Sequence, residues 1–121
     1  MKDFNHVVLS GRIANLEKRG EDEKTYLIFD LANHYFSKKG EKWEEKTQFV
    51  SCKIFSSKWA ESLSKHLEKG IEVCVQGRIV VSDYVDKEEK RKISWYISVT
   101  ELLFLKKEAN EGVEYSDHIE L

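Results

Sequence analysis

Residues 47–81, TQFVSCKIFSSKWAESLSKHLEKGIEVCVQGRIVV, carry the pattern of a strand, a helix and a second strand. The first segment alternates with a period of two, as expected when a strand presents two different faces. Its predicted core face is formed by Val50, Cys52 and Ile54, and its predicted outer face by Phe49, Ser51, Lys53 and Phe55. The stretch therefore predicts a half-buried sheet with a helix connecting two of its strands.

The outer face of this strand is unusual because two aromatic rings flank a cation. Antiparallel sheets commonly have one solvated, polar side, so Phe49 and Phe55 either fill a second core layer or form a platform for flat, anionic polymers. Single-stranded nucleic acid has this chemistry, since bases stack on aromatic rings and phosphates lie near lysines such as Lys53. This strand alone does not distinguish the two alternatives.

Alternating apolar residues predict four further strands around this stretch. The five predicted strands cover residues 5–13, 25–32, 47–55, 71–81 and 93–105. The segments between them are polar or charged, and we expect loops or hairpin tips at residues 15–24, 33–46 and 84–92. The middle segment is unusual for a solvated loop because it contains Tyr35, Phe36 and Trp43.

The predicted helix lies between the third and fourth strands. Ser56 or Ser57 can cap its N-terminus, and Gly70 is the expected C′ residue. An apolar stripe at helical spacing is formed by Trp59, Ala60, Leu63 and Leu67. Five strands with one helix between the third and fourth is the element order of a five-stranded, all-β OB-fold barrel.

Charge divides the chain into two parts. The formal net charge is −2, with 20 basic and 22 acidic residues. Residues 108–121 contain five of the acidic residues and no Lys or Arg, so residues 1–107 carry 20 basic against 17 acidic residues. We expect residues 1–107 to form one mildly basic domain and residues 108–121 to be a short, disordered acidic tail.

The sequence gives no sign of membrane insertion, secretion or disulfide bonding. No apolar run approaches the roughly 20 residues that a membrane helix needs, and the N-terminus lacks the build of a signal peptide. Cys52 and Cys74 fall in apolar strand-like runs, so we expect reduced thiols in a cytosol rather than a disulfide. No membrane contact is expected.

Catalytic and metal-binding motifs are weak. Residues 62–65 spell S-x-x-K, but the companion motifs are absent and the segment lies on a helix face. The histidines have no metal-ligand spacing with the two cysteines, and no Gly-rich phosphate loop exists. We expect no enzymatic activity, no metal and no cofactor.

Short segments spread along the chain resemble the bacterial single-stranded DNA-binding protein family. They are Asn5-His6-Val7-Val8-Leu9-Ser10-Gly11-Arg12-Ile13, Leu31-Ala32, Thr47-Gln48-Phe49, Ala60-Glu61, Lys69-Gly70 and Val75-Gln76-Gly77-Arg78-Ile79. They follow the family's order and spacing over residues 5–105. The resemblance implies an OB-fold that binds and protects single-stranded DNA, independent of sequence, in replication, recombination and repair. It further implies a cytoplasmic, nucleoid-associated homotetramer whose first strand helps to pair subunits.

The resemblance also implies which side chains contact DNA. Phe49, Phe55 and Tyr84 match base-stacking positions, and Phe36 is the best match for a fourth, with Trp43 and Tyr35 as rivals in the loop. The alternative for each ring is burial at a subunit contact or in the barrel mouth. Cations on or beside this platform are expected to contact phosphates: Arg12, Lys38, Lys39, Lys53, Lys58, Arg78, Lys87, Lys90, Arg91 and Lys92.

Departures from the family pattern concern charge and the tail. Asp83 adjoins Tyr84, and further acidic residues follow in the same hairpin, which places unfavourable charge near the expected DNA path. The tail is about 14 residues long and lacks the family's proline and terminal aromatic residue. Its end is expected to recruit replication and repair proteins through Asp117, Ile119, Glu120 and Leu121.

Two alternative functions for the whole protein stay open. They are a dimeric primosomal OB protein for replication restart and an OB subunit that binds only protein.

Overall fold

The computed structural model describes residues 2–105 and the backbone of residues 118–120. The strands and the helix are β1 (Val7–Arg19), β2 (Tyr26–Lys39), β3 (Lys42–Ile54), α1 (Ser57–Ser64), β4 (Glu72–Val85), β5 (Arg91–Leu105) and β6 (His118–Glu120). A single 3₁₀ turn, Asp22–Lys24, precedes β2. Within this described part of the chain, no helix has the length and apolar character needed to cross a membrane.

The first five strands close into a barrel. Neighbouring strands pair in the order β3-β2-β1-β4-β5, and β3 also pairs with β5. This last pairing is parallel and joins Cys52 to Ile97 and Lys53 to Ser98. The helix α1 lies between β3 and β4 in the chain. The predicted five-stranded OB-fold barrel is therefore confirmed.

The barrel interior is filled by residues that alternate along the strands. Leu27, Phe29 and Leu31 of β2 are buried, and the predicted core face of β3 is buried as well. Ala60 and Leu63 of α1 and Leu67 beyond it pack into the same core. Successive side chains of a strand point to opposite faces. The residues that alternate with these buried ones therefore form the outer face of the barrel.

Two strands approach so closely that glycine is needed between them. Gly77 of β4 is buried opposite Val99 of β5. A methyl group added to Gly77 would clash with the backbone carbonyl of Ser98. The pairing of β4 and β5 shifts register between Gln76 and Gly77, so this contact lies where the two strands bend around the barrel.

The strands are longer than predicted. Residues 33–46 are not a loop, because β2 and β3 pair without interruption from Leu27↔Ile54 to Lys39↔Lys42. They form a two-stranded hairpin that ends in a turn at Gly40, whose φ is +66°. Similarly, β1 extends to Arg19, and only residues 86–90 separate β4 from β5. Outside the barrel both faces of a hairpin are solvated, so the alternation used to predict strands is lost.

The helix is shorter than predicted. Ser56 is its N-cap, as expected, and accepts a hydrogen bond from the Trp59 N–H at 3.4 Å. The helix ends at Ser64 rather than near Gly70. Gly70 has the left-handed φ of +91° expected of a C′ residue, but it lies in the turn before β4. Its N–H donates to the Ile13 carbonyl at 2.8 Å, so β1 rather than the helix determines its position.

Candidate nucleic-acid interface

The outer face of β3 carries the two aromatic rings predicted there. Phe49 is 62% exposed and Phe55 is 50% exposed, whereas Val50, Cys52 and Ile54 between them are buried. The two phenylalanines therefore do not fill a second core layer of this chain. They form, with the cation between them, a solvent-facing surface on the barrel wall.

Phe55 belongs to a cluster of three aromatic rings. Its centroid lies 5.7 Å from that of Tyr26 and 5.8 Å from that of Tyr96. The Tyr96 ring is edge-on to Phe55, and the Lys53 Nζ lies 4.4 Å from the Tyr96 centroid. The three rings and the ammonium group of Lys53 thus form one continuous patch, which we call the Phe55 cluster.

Tyr26 and Tyr96 were not among the residues predicted to contact DNA, although the sequence contains a signal for both. Each is one residue away from a core residue of its strand, Leu27 and Ile97. Strand alternation therefore places both tyrosines on the outer face, as it did Phe55. The missing information was which outer positions of three different strands are neighbours in space.

The β2–β3 hairpin extends the same outer face beyond the barrel. Residues directly opposite each other on paired strands share a face. The pairs Ala32↔Phe49, Phe36↔Glu45 and Lys38↔Trp43 are separated by even numbers of residues, so all three lie on the outer face. Phe36 and Trp43 are each 64% exposed on this face. The Lys38 Nζ lies 5.9 Å from the Trp43 centroid. Tyr35, opposite Lys46, lies on the other face.

Tyr84 lies on the outer face of the β4–β5 hairpin. It is exposed and is paired with Lys92. Val80, four residues before Tyr84 on β4, is directly opposite Tyr96 on β5. Because side chains an even number of residues apart lie on the same face of a strand, Tyr84, Val80 and Tyr96 share a face. The hairpin therefore continues the surface that begins at the Phe55 cluster.

Four of the ten candidate cations lie among these rings. Lys53 and Arg78 are both aligned with Ser98, which lies on the strand between theirs, and this places them in one row across three strands. Lys92 is opposite Tyr84, with its Nζ 4.0 Å from the Asp86 carboxylate, and Lys38 is above Trp43. The structure thus brings aromatic and cationic side chains together on one face of the barrel and its two hairpins.

The other candidate cations are placed differently. The Arg12 guanidinium donates to the Gly70 carbonyl at 3.1 Å, and Lys39 lies on the far face of the β2–β3 hairpin. Arg91 pairs with Asp83 at 3.1 Å, also on a far face, so Asp83 points away from the side of the hairpin that carries Tyr84. The remaining three are Lys58 in the first turn of α1, Lys87 in the turn between β4 and β5, and Lys90, which is 3.8 Å from Glu88.

These ion pairs are weak restraints. The Arg91–Asp83 and Lys90–Glu88 side chains are more than half exposed, and exposed pairs typically contribute about 0–1 kcal/mol. The Asp86 carboxylate accepts from the N–H groups of Glu88 and Lys90, both at 2.9 Å, and thereby shapes the turn. Acidic residues in this hairpin therefore have structural partners of their own.

Neither thiol lies in the proposed interface. Cys52 and Cys74 are both free in the structure. Burial, with a smaller contribution from Asp30, raises the pKa of Cys52 to about 12, and burial also raises the pKa of Cys74. Within the part of the chain that the structure describes, no group of three His, Cys, Asp or Glu side chains is arranged to hold a metal ion.

The C-terminal residues expected to recruit partners are only partly described. Asp117 and Leu121 lie outside the described residues, as does most of the segment expected to be disordered. The backbone of Ile119 and Glu120 belongs to β6, which pairs with Leu103–Leu105 of β5 in an antiparallel ladder. These three residues of the tail thus continue the sheet beyond β5.

Comparison with known proteins identifies the family. The model of the single-strand binding protein family matches residues 4–105. The single-stranded DNA-binding protein of Borreliella burgdorferi is 32% identical over 102 residues, which cover 80% of this chain and 68% of that protein. That of Fusobacterium nucleatum is 30% identical over 101 residues, which cover 81% of this chain and 64% of that protein. The chain thus spans about two thirds of the length of these relatives.

Solved structures share the fold. A structure described as Plasmodium falciparum SSB in complex with ssDNA has a TM-score of 0.77 at 21% identity, covering 88% of this chain and 98% of the other. The small single-stranded DNA-binding protein from Streptomyces coelicolor has a TM-score of 0.65 at 22% identity, covering 84% and 94%. These two similarities concern the fold. The match of the family model to residues 4–105 and the Borreliella relative establish that this chain belongs to the single-strand binding protein family.

Proposed function

We propose that this protein binds and protects single-stranded DNA, without catalysis and without sequence preference. The observation that carries the proposal is the outer face that the barrel shares with its two hairpins. Its aromatic residues are Phe36, Phe49, Phe55 and Tyr84, and its cations are Lys38, Lys53, Arg78 and Lys92. Stacking contributes roughly 1–3 kcal/mol per base and tolerates any base, because every base has a π-face. Phosphates between the stacked bases would follow the cations.

The relatives support this choice of ligand. The Borreliella and Fusobacterium proteins are named single-stranded DNA-binding proteins, and the Plasmodium structure contains ssDNA. A protein of this kind would keep exposed strands unpaired during replication, recombination and repair. We accordingly place it in the cytoplasm, associated with the nucleoid.

The remaining cations on the hairpins and the helix would act as secondary phosphate contacts. Ion pairs such as Arg91–Asp83 can exchange a carboxylate for a phosphate at small cost, because exposed pairs are weak. A Lys→Met or Arg→Met series across the ten candidates tests this order of importance. Substitutions at Lys53, Arg78, Lys92 and Lys38 should reduce the salt dependence of binding more than substitutions at Lys39 and Arg91.

Self-association is a second part of the proposal. Large apolar side chains are exposed on the face of the β4–β5 hairpin that is opposite to Tyr84: Ile79, Val81, Val85, Ile93 and Trp95. Contiguous exposed apolar surface commonly marks a protein–protein contact. Phe4 and Val8, at the start of the chain and on β1, are exposed as well. We propose that these surfaces pair subunits in a homotetramer.

Light scattering on the purified protein tests the assembly. A tetramer that becomes smaller with Trp95→Glu supports the proposal, whereas a dimer insensitive to that substitution favours a replication-restart protein of the primosomal kind. A protein that assembles normally but is not retained on single-stranded DNA at moderate salt would instead be an OB subunit that binds only protein.

The tail is proposed to regulate binding and to recruit partners. An acidic segment tethered to a weakly basic domain can compete with DNA phosphates, most strongly at low salt. Deletion of residues 108–121 should therefore tighten DNA binding in low salt. It should leave the Tm nearly unchanged, because the described core residues lie between Ile13 and Leu102 and β6 adds only three residues, paired with the end of β5. If the tail also recruits replication and repair proteins through Asp117, Ile119, Glu120 and Leu121, the truncated protein should fail to retain them in a pull-down. Retention of the same proteins would refute the recruiting role alone.

A further inference from the structure

The Phe55 cluster contains a residue whose role differs from that of the exposed rings. Tyr96 is half-buried and touches two members of the proposed interface at once. Its ring is edge-on to Phe55 at 5.8 Å, with an interplanar angle of 67°, and the Lys53 Nζ lies 4.4 Å from its centroid. An ammonium group at this distance is attracted to the face of an aromatic ring.

The face of Tyr96 that Lys53 covers is not open to a base. Phe55 keeps half of its surface exposed, and Tyr26 contacts it from another direction at 5.7 Å. Tyr26 and Tyr96 thus restrict the Phe55 ring while leaving part of it open for stacking. Tyr96 at the same time restricts the Lys53 side chain, which would otherwise sample many rotamers.

Lys53 is also available for an anion. Within residues 2–105 the cations that form ion pairs are Lys18, Arg19, Lys90, Arg91 and Lys92. No carboxylate in this range lies within ion-pairing distance of Lys53. The aromatic ring holds the ammonium without neutralising its charge, in contrast to a carboxylate. Its phosphate-binding capacity is therefore retained.

We propose that Tyr96 is a positioning residue that couples base stacking on Phe55 to phosphate binding by Lys53. The inference rests on the proposed binding of single-stranded DNA. A nucleotide whose base stacks on Phe55 would then find the ammonium of Lys53 already placed for a neighbouring backbone phosphate. The ligand recognised by this unit is a stacked base together with an adjacent phosphodiester.

The proposal makes a specific statement about salt dependence. One phosphate contact on a single strand contributes about 0.7 to the slope of log K against log[salt]. Relative to 1 M salt, loss of that contact should lower affinity about fivefold at 0.1 M salt, since a tenfold change in salt changes its contribution to K by 10 to the power 0.7, which is about 5. If Tyr96 holds Lys53, then Tyr96→Leu should reduce the magnitude of the slope by the same amount as Lys53→Met, and the double variant should show the same slope as either single variant. Tyr96→Leu should in addition weaken binding at all salt concentrations, because it also releases the Phe55 ring.

The test is a double-mutant cycle with oligo-dT, titrated between low and high salt. Tyr96→Phe keeps the ring and should behave as the wild type, whereas pentafluorophenylalanine at position 96 reverses the ring's charge distribution at nearly equal volume and should behave as Tyr96→Leu. This second substitution keeps the test valid if Tyr96→Leu reduces the folded fraction. The pair Tyr35 and Lys46, which are opposite each other on the far face of the β2–β3 hairpin, supplies matched controls in Tyr35→Leu and Lys46→Met.

Failure of the positioning role of Tyr96 and failure of single-stranded DNA binding would give different results. Additive effects of Tyr96→Leu and Lys53→Met on the salt slope, or an unchanged salt slope in folded Tyr96→Leu, would overturn the positioning role. In that case wild-type binding and a loss on Phe49→Ala would still uphold single-stranded DNA binding. Absence of wild-type binding to oligo-dT would overturn the proposed function itself.

Discussion

The Nζ of Lys38 lies 5.9 Å from the centre of the Trp43 ring, on the outer face of the β2–β3 hairpin. The contact joins β2 to β3 at the pair Lys38↔Trp43, close to the end of the hairpin. It extends the combination of ring and cation seen at Lys53 and Tyr96 well beyond the barrel wall. The hairpin is therefore part of the proposed interface rather than a solvated connection.

The faces of this hairpin predict which of its aromatic residues contributes to binding. Phe36→Ala and Trp43→Ala should each weaken oligo-dT binding by roughly 1–3 kcal/mol, the typical value of one lost base stack. Tyr35→Ala should have little effect, because Tyr35 lies on the far face. Fluorescence anisotropy of labelled oligo-dT measures all three variants. Equal losses for Tyr35→Ala and Phe36→Ala would show that the faces are wrongly assigned.

Phe55 is predicted to bind DNA without supporting the fold. Phe55→Ala should cost roughly 1–3 kcal/mol of binding and leave the Tm close to that of the wild type, since half of the ring is exposed. Tyr84→Ala should behave in the same way. Phe29→Ala is the matched comparison, because Phe29 is buried in the core, and its loss should destabilise the fold by about 3–5 kcal/mol. A large drop in Tm for Phe55→Ala would contradict the assignment.

Gly77 is predicted to be needed for closing the barrel. In Gly77→Ala the new methyl group would meet the Ser98 carbonyl, which belongs to the backbone of β5 and cannot move away without disturbing its pairing with β4. We expect a loss of about 3 kcal/mol in the free energy of unfolding, the upper end of the range for overpacking. Urea denaturation provides the value.

Gly40 is the control for that substitution. No atom lies within 4 Å of a Cβ added at Gly40, although its φ is +66°. Asn tolerates this left-handed conformation better than most residues, so Gly40→Asn should cost less than about 1 kcal/mol. A similar loss for both variants would indicate that close approach at Gly77 is not the reason for its glycine.

The pKa of Cys52 predicts how stability depends on alkaline pH. Its ordinary value is 9.0, and in the folded protein it is about 12, mainly because of burial. Between these values the folded protein keeps the proton that the unfolded chain releases. The free energy of unfolding should therefore fall with rising pH, by up to about 1.4 kcal/mol per pH unit.

Urea denaturation at pH 8 and above pH 9 measures this effect. Because other groups titrate in the same range, the informative quantity is the difference in pH dependence between the wild type and Cys52→Ala. The variant should be less stable at pH 8 but should lose less stability on going to higher pH. An identical pH dependence of the two proteins would contradict the role of Cys52.

The barrel was predictable because its strands separate a core face from an outer face. The alternation at Val50, Cys52 and Ile54 placed Phe49 and Phe55 outside, and the structure places them there. The same period was invisible in residues 33–46, where charged residues occupy both faces of a hairpin. The length of β2 and β3 therefore did not follow from the sequence.

Contacts between distant strands were the other part that sequence could not supply. Tyr26, Phe55 and Tyr96 lie on three strands, and only the parallel closure of β3 on β5 brings Phe55 and Tyr96 together. The sequence also did not determine which acidic residue each cation would pair with. Arg91 was a candidate phosphate contact by proximity in sequence, but in the structure it faces Asp83 on the far side of the hairpin.

The most direct measurement is a titration with oligo-dT and with duplex DNA of the same length, repeated over a range of salt concentrations. The proposed interface predicts that affinity for oligo-dT exceeds affinity for the duplex by orders of magnitude, because paired bases cannot stack on exposed rings. It also predicts that binding weakens with salt, with a slope of about −0.7 for each phosphate contacted. Equal affinity for single-stranded and duplex DNA would contradict the account.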